Sequence, residues 1–165
     1  MRLAGIVPVC LGLIGGCLGS QLPEFSQQYR QRLGGALGEL DRVLAEFDRD
    51  ATVSGLSRDQ ALDEYSAAAS AFLKSRGKSV TATLARRDAL QKQSTAIEQA
   101  PPLMRPLEVL RAPDQAVMDG AWKQFEPAIP VTAQGLAWGG VAAFAAWLFG
   151  SVVILPFRRR RPLRA

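Results

Sequence analysis

The sequence predicts an all-α protein in which two transmembrane helices at the chain ends flank a helical extramembrane domain. Two long stretches carry no charged residue, one between Arg2 and Glu24 and one between Glu126 and Arg158. Each is long enough to cross a bilayer, because roughly 20 apolar residues at about 1.5 Å each cover the ~30 Å hydrocarbon core. No segment between them shows the sustained two-residue alternation of apolar and polar side chains that is typical of strands.

These stretches give the predicted boundaries along the chain. The segments are a first transmembrane helix over residues 3–20, a periplasmic helical domain over 21–131, a second transmembrane helix over 132–157 and a basic cytoplasmic tail over 158–165. For the first stretch, a cleaved signal peptide and a lipoprotein signal at Cys17 stay open as alternatives. The retained helix is preferred, because cleavage after Ser20 would put Leu18 where a small residue is needed.

The charge distribution predicts the orientation. All 15 acidic residues lie within residues 24–126 together with 14 of the 20 basic residues, so this middle segment has a net charge of −1 (14 minus 15). A block of four basic residues, Arg158, Arg159, Arg160 and Arg161, directly follows the second uncharged stretch. Basic residues beside a transmembrane helix tend to stay in the cytoplasm. We therefore predict that both termini are cytoplasmic and that the middle domain lies on the other side of the membrane, which in a bacterium with an inner membrane is the periplasm.

Residues 21–50 have the pattern of an amphipathic helix. Apolar side chains recur at steps of three and four, and Leu33, Leu37, Leu40 and Phe47 define the apolar face. Two partners for this face stay open. The preferred interpretation packs it on other helices of the same domain, and the alternative is a coiled coil with a neighbour or a second copy.

Two further helices of the middle segment are predicted from their end signals. Ser57 and Gln60 form a capping box that begins one helix, and Gly77 is expected to end it. The next helix is predicted from about Ser79 to Gln99.

Proline residues divide the chain beyond this point. Pro101 and Pro102 stop the preceding helix, and short helices are predicted within residues 103–111 and 113–125. Thr132 is placed to cap the second transmembrane helix.

Glycines four residues apart recur in both uncharged stretches. Three such steps occur, Gly12–Gly16, Gly15–Gly19 and Gly135–Gly139. Small residues at this spacing let two helix backbones approach closely in lipid, where association depends on packing. We predict that Gly12, Gly16, Gly135 and Gly139 pack the two transmembrane helices on each other or across a dimer.

The sequence contains few groups for catalysis or metal binding. There is no histidine, and both cysteines, Cys10 and Cys17, lie in the first uncharged stretch. The middle segment therefore has no Cys/His metal site and no disulfide. No catalytic, cofactor-binding or metal-ligating residue is predicted, and no cofactor is expected. Nucleic acid is not an expected partner either, because the middle segment carries no excess of basic charge.

The predicted function is that of a non-enzymatic envelope scaffold or partner-binding protein. Its expected partners are the lipid bilayer and either a second copy of the chain, giving a homo-oligomer, or an envelope protein. The alternative is an envelope enzyme that acts on lipid or cell-wall material through carboxylates. Buried, adjacent carboxylates in a pocket would favour the enzyme, and dispersed surface carboxylates would favour the scaffold.

Both ends of the middle segment resemble a known family. The stretches that carry the resemblance are Ser20–Phe25, Gln27–Tyr29, Gln31–Ala36 and Phe125–Ala128, with Pro130 ahead of the last transmembrane helix. They are similar to an uncharacterised family of small bacterial membrane proteins, domain of unknown function family 2937. The resemblance implies an inner-membrane protein with two membrane spans, and it supplies no activity, ligand or catalytic residue.

Overall fold

The structure is a computed structural model that describes residues 3–127, 129 and 131–158. These residues form seven α-helices and no strand, so the predicted all-α class is confirmed. In chain order the helices are α1 (Leu3–Ser20), α2 (Leu22–Val53), α3 (Arg58–Ala67), α4 (Ala71–Gln99), α5 (Arg105–Arg111), α6 (Gln115–Lys123) and α7 (Ala133–Arg158).

Contacts divide the described chain into two compact units. The first unit contains α1, the start of α2 as far as Gln28, residues 101–107, and the chain from Ala121 through α7. The second unit contains Tyr29–Ala100 and Glu108–Gly120. Helices α2, α5 and α6 therefore each contribute residues to both units.

Helices α1 and α7 pack against each other in the first unit and run antiparallel. Gly19, near the end of α1, approaches Trp138, near the start of α7, whereas Gly12 approaches Trp147. By length and composition, two stretches are apolar enough to cross a membrane. They are Ile6–Val53, whose apolar part is α1, and Ala133–Leu155 in α7.

Three aromatic rings also pack together in the first unit. Phe25 of α2 meets Trp122 and Phe125 edge-on, with ring centroids 5.8 and 5.5 Å apart. Trp122 stacks on Phe125 at 6.3 Å. Each such pair contributes roughly 0.5–1.5 kcal/mol beyond the apolar area that it buries. The cluster joins the beginning of α2 to the end of α6 and the chain directly after it.

The second unit has its apolar core along one stripe of α2. Tyr29, Leu33, Leu37, Leu44 and Ala51 are buried, at steps of four and seven that keep them on one side of the helix. The other buried apolar residues of this unit are Ala61, Val80, Leu90, Ile97, Val109 and Val117. The apolar spacing of α2 thus places these side chains on one side of the helix, where other residues of the same chain bury them.

Helix α3 begins with the predicted capping box. The Oγ of Ser57 accepts the N–H of Gln60 at 3.3 Å, and the Oε1 of Gln60 accepts the N–H of Ser57 at 2.8 Å. Neither N–H group has a backbone acceptor within the helix, and the capping box gives each of them a side-chain acceptor. The predicted start of this helix is therefore confirmed.

The predicted helix end at Gly77 is wrong. Helix α3 already ends at Ala67, and α4 begins at Ala71 and continues through Gly77 without interruption. The reason is a close approach, because a Cβ atom on Gly77 would lie 2.7 Å from the Cβ of Tyr65 in α3. Gly77 therefore allows α3 and α4 to pack closely, and tertiary contact overrides its local preference for a helix end.

Side chains cap the starts of two later helices. The Oγ1 of Thr132 accepts the N–H of Gly135 at 3.1 Å, which confirms the predicted cap of α7. The Oδ1 of Asp114 accepts the N–H of Val117 at 3.0 Å and caps α6 in the same way.

Candidate functional site

Small residues line the contact between α1 and α7. A Cβ atom added to Gly15 would lie 2.6 Å from the Cβ of Ala146 and 2.9 Å from the carbonyl oxygen of Ala142. One added to Gly19 would lie 2.9 Å from the carbonyl oxygen of Trp138 and would overlap the Cβ of Ala142. These neighbours are backbone atoms and β-carbons, which cannot rotate away. A larger residue at either position therefore has to push the helices apart.

Three of the four glycines named from the sequence lie in the same contact. A Cβ atom on Gly12 would lie 3.2 Å from the Cβ of Trp147, and one on Gly16 would lie 3.1 Å from the Cβ of Ala143. A Cβ atom on Gly139 would lie 3.2 Å from the carbonyl oxygen of Gly16. These positions are tight but leave more room than Gly15 and Gly19.

The fourth named glycine, Gly135, is buried in the first turn of α7. Gly150 continues the small-residue spacing of α7 and also lies in the contact, where a Cβ atom would lie 2.7 Å from the Cδ1 of Leu11 and 3.1 Å from the Cα of Pro8. Overlapping four-residue steps look equivalent in a sequence. Which of them lies deepest depends on the rotation of each helix about its own axis, and spacing does not determine that rotation.

Large apolar side chains lie on the outer faces of both helices. On α1, Leu13 and Leu18 are 68% and 67% exposed, and on α7, Val141 and Phe149 are 64% and 68% exposed. A helix pair in water would bury these side chains and expose the small ones. A bilayer suits the observed arrangement, because lipid tails are as apolar as leucine and close packing of small residues holds the helices together.

A hydrogen-bonded group surrounds Tyr29 in the second unit. The Tyr29 side chain is fully buried, and its hydroxyl donates to the Oε1 of Gln93 at 2.9 Å and accepts the N–H of Asp114 at 3.0 Å. The Nε2 of Gln93 donates to the carbonyl oxygen of Ala112 at 2.6 Å. Burial raises the pKa of the Tyr29 phenol, and the hydrogen bond from the N–H of Asp114 offsets part of that rise. This group ties the segment before α6 to α2 and α4.

The four residues of the predicted amphipathic face all lie in the second unit. Leu33 and Leu37 are buried, and Leu40 and Phe47 are half-buried. The ring of Phe47 stacks on that of Tyr65 in α3, with centroids 6.2 Å apart. The sequence pattern identified this face, but it did not show that Tyr29 combines apolar packing with a buried hydrogen bond.

The acidic residues are dispersed over the surface. The structure describes all 15 of them, and none is buried. Hydrogen bonds from Arg42 and Arg58 lower the pKa of Glu39 and Asp48, respectively. A general acid at neutral pH needs a shift in the opposite direction. Among the described residues, no three Asp, Glu or Cys side chains lie close enough to hold a metal ion.

One groove of about 450 Å³ in the second unit includes two carboxylates, Glu108 and Asp114. Both carboxylates already have partners. Glu108 accepts from Arg111 at 2.6 Å, and Asp114 caps α6 and accepts from Arg86 at 3.4 Å. The groove therefore has the chemistry of surface ion pairs and a helix cap.

One comparison with known proteins identifies the family of this chain. The sequence profile of the family described as Protein of unknown function (DUF2937) matches residues 3–162. No curated protein and no solved structure matches the chain. The family match includes both apolar helices and the whole segment between them, so it extends well beyond the opening and closing motifs. The chain belongs to the DUF2937 family of proteins of unknown function.

Proposed function

We propose that this protein is a non-enzymatic scaffold of the bacterial inner membrane. Helices α1 and α7 form a hairpin that anchors it there. The observation that carries the proposal is the reversed packing of the hairpin, with small residues inside and large apolar residues outside. In the proposed topology both termini are cytoplasmic, because basic residues resist export. The chain between the helices is then periplasmic.

The second unit supports a scaffold more than an enzyme. Its buried positions are filled by apolar side chains and by the Tyr29 hydrogen bonds, which hold helices together. Its carboxylates lie at the surface, and several are paired with arginine, as in the pairs of Arg87 with Asp41 and of Arg58 with Asp48. The proposed partner is a second copy of the chain or another envelope protein.

Topology is the first test of this proposal. A reporter that is active only in the periplasm is fused after Asp50 and, separately, after Ala165, and the mass of the mature chain is measured. We expect activity after Asp50, none after Ala165, and an uncleaved N-terminus. Activity after Ala165, silence after Asp50, or a chain that begins after Ser20 would contradict the hairpin.

A second experiment separates the scaffold from a carboxylate enzyme. Glu108→Gln and Asp114→Asn remove the two groove carboxylates, and the asparagine keeps an oxygen that can cap α6. In a strain that lacks the protein and shows an envelope defect, we expect both variants to restore growth as well as the unaltered chain. Loss of rescue with normal membrane levels would favour the enzyme.

A further inference from the structure

The segment Pro101–Leu107 belongs to the first unit, with the two apolar helices, although it follows the long helix α4 in the chain. One hydrogen bond attaches it directly to α7. The indole N–H of Trp138 donates to the carbonyl oxygen of Leu103 at 2.9 Å. The segment is therefore held at the level of Trp138 along α7.

The position of Trp138 along α7 gives the depth of this contact. Trp138 lies 20 residues before Arg158 (158 minus 138). At about 1.5 Å per residue this is about 30 Å, the thickness of a hydrocarbon core. If the core ends at Arg158 on one side, Trp138 lies at its other boundary, where tryptophan is enriched. Ser20, the last residue of α1, lies at the same level, because a Cβ atom added to Gly139 would lie 3.2 Å from the Cβ of Ser20.

The segment presents an apolar surface at this level. Leu103, Met104 and Leu107 are 39%, 42% and 41% exposed. Residues 101–107 contain no acidic residue, and their one charged residue is Arg105. The nearest following carboxylate, Glu108, is paired with Arg111. Apolar side chains beside a single cation suit the boundary between lipid headgroups and acyl chains, where phosphates are negatively charged.

We propose that Pro101–Leu107 is a membrane-surface element, and that Leu103, Met104 and Leu107 insert into the headgroup–acyl boundary beside α7. The occupant of this surface is phospholipid. This inference rests on the proposed function, because it requires α1 and α7 to span the bilayer. It adds a third membrane contact to the two helices, made by a segment that is neither long enough nor apolar enough to cross.

Fluorescence quenching by lipids tests the insertion. Cys10 and Cys17 are replaced by alanine in the full chain, and single cysteines at Leu103, Met104 and Leu107 are labelled with an environment-sensitive fluorophore. The protein is reconstituted in vesicles of phosphatidylcholine and phosphatidylglycerol that contain a lipid with a spin label just below the headgroup. We expect several-fold more quenching at these positions than at Val53, an exposed residue at the far end of α2.

Two controls make each outcome decisive. A label at Phe144, in the middle of α7, reports whether that helix spans the bilayer when the vesicles contain a lipid with its spin label deep in the acyl chain. Iodide in the buffer reports exposure to water. Quenching by lipid at Phe144 but not at the three test positions would overturn the insertion alone. Iodide would then show whether water or a protein covers the surface. No quenching at Phe144 would overturn the spanning hairpin, and this inference with it.

A variant at the anchoring hydrogen bond gives an independent readout. Trp138→Phe keeps an aromatic ring but removes the indole N–H that Leu103 accepts. We expect the label at Leu103 to lose most of its quenching by lipid, while the label at Phe144 keeps its own. Unchanged quenching at Leu103 would show that Trp138 does not hold the segment at the membrane.

Discussion

Tyr29 combines the apolar packing and the hydrogen bonding of the second unit in one buried side chain. Tyr29→Phe keeps the ring but leaves the N–H of Asp114 and the Oε1 of Gln93 without their partner. We expect a loss of about 1–3 kcal/mol in the free energy of unfolding, because unsatisfied buried groups retain their desolvation cost. Thermal unfolding in detergent, followed by circular dichroism, measures the loss. Tyr65→Phe is the matched control and should change stability much less, and an equal loss in both variants would contradict the argument.

Burial also makes Tyr29 sensitive to alkaline pH. Its folded-state pKa lies above its unfolded value, so the unfolded chain releases the phenolic proton first as pH rises. The contribution to stability is therefore fully present below about pH 10 and is lost as pH rises through the folded pKa. We expect the difference in unfolding free energy between the unaltered chain and Tyr29→Phe to shrink above that pH. A difference that stays constant or grows would contradict the raised pKa.

At the scale of elements, two glycines in helices should respond to the same substitution in opposite directions. Gly34→Ala in α2 meets no atom within 4 Å, so it should stabilise the protein by about 0.5–1 kcal/mol through helix preference. Gly77→Ala in α4 would place its Cβ 2.7 Å from the Cβ of Tyr65, so it should destabilise the protein by about 1–3 kcal/mol. Unfolding midpoints compare the two variants. A gain in stability from Gly77→Ala would mean that α3 and α4 do not pack as closely as described.

The contact between α1 and α7 allows a comparison of two adjacent glycines. Gly139 faces α1, where its Cβ would lie 3.2 Å from the carbonyl oxygen of Gly16, whereas Gly140 has no atom within 4 Å. We expect Gly139→Ile to separate the helices and to lower the unfolding free energy by about 1–3 kcal/mol. Gly140→Ile should leave both nearly unchanged. Energy transfer between dyes on α1 and α7, measured in detergent, reports the separation, and equal effects of the two variants would argue against this helix face.

Local signals predicted some helix ends correctly and missed others. The Ser57–Gln60 capping box and the Thr132 cap act within three residues, and both occur in the structure. The break between α3 and α4 falls within residues 68–70, an Ala-Ala-Ser sequence with no glycine or proline to mark it. The contact of Gly77 with Tyr65 decides that packing, and a contact between two helices leaves no local pattern in the chain.

The candidate site shows the same limit over longer distances. Four-residue glycine steps revealed that α1 and α7 can pack closely, but not that Gly15 and Gly19 make the closest approach. The hydrogen bonds of Tyr29 reach partners that are 64 and 85 positions away in the sequence, so no spacing rule connects them.

At the scale of the whole molecule, two compact units share helix α2. The amphipathic pattern of residues 21–50 does not show where one unit ends and the other begins.

In the proposed topology, the charge that follows α7 sets the orientation of the chain in the membrane. Arg158 ends α7, while Arg159, Arg160 and Arg161 lie outside the described residues, so their predicted role rests on the sequence. Replacing all four by glutamine leaves Arg2 and Arg164 as the basic residues outside the middle segment. The energetic preference for a cytoplasmic C-terminus then weakens, because fewer cations oppose export. Insertion should become mixed, with less periplasmic reporter activity after Asp50 and new activity after Ala165.

Arg164→Gln is the control for the arginine block, because it removes one positive charge from the same tail and keeps the four residues beside α7. It should preserve the orientation of the unaltered chain, since four of the five arginines within residues 158–164 remain. If the four-residue variant also kept that orientation, the arginine block would not be the determinant. The determinant would then have to lie elsewhere in the flanking sequence, because a segment as long as residues 24–126 is exported largely regardless of its charge.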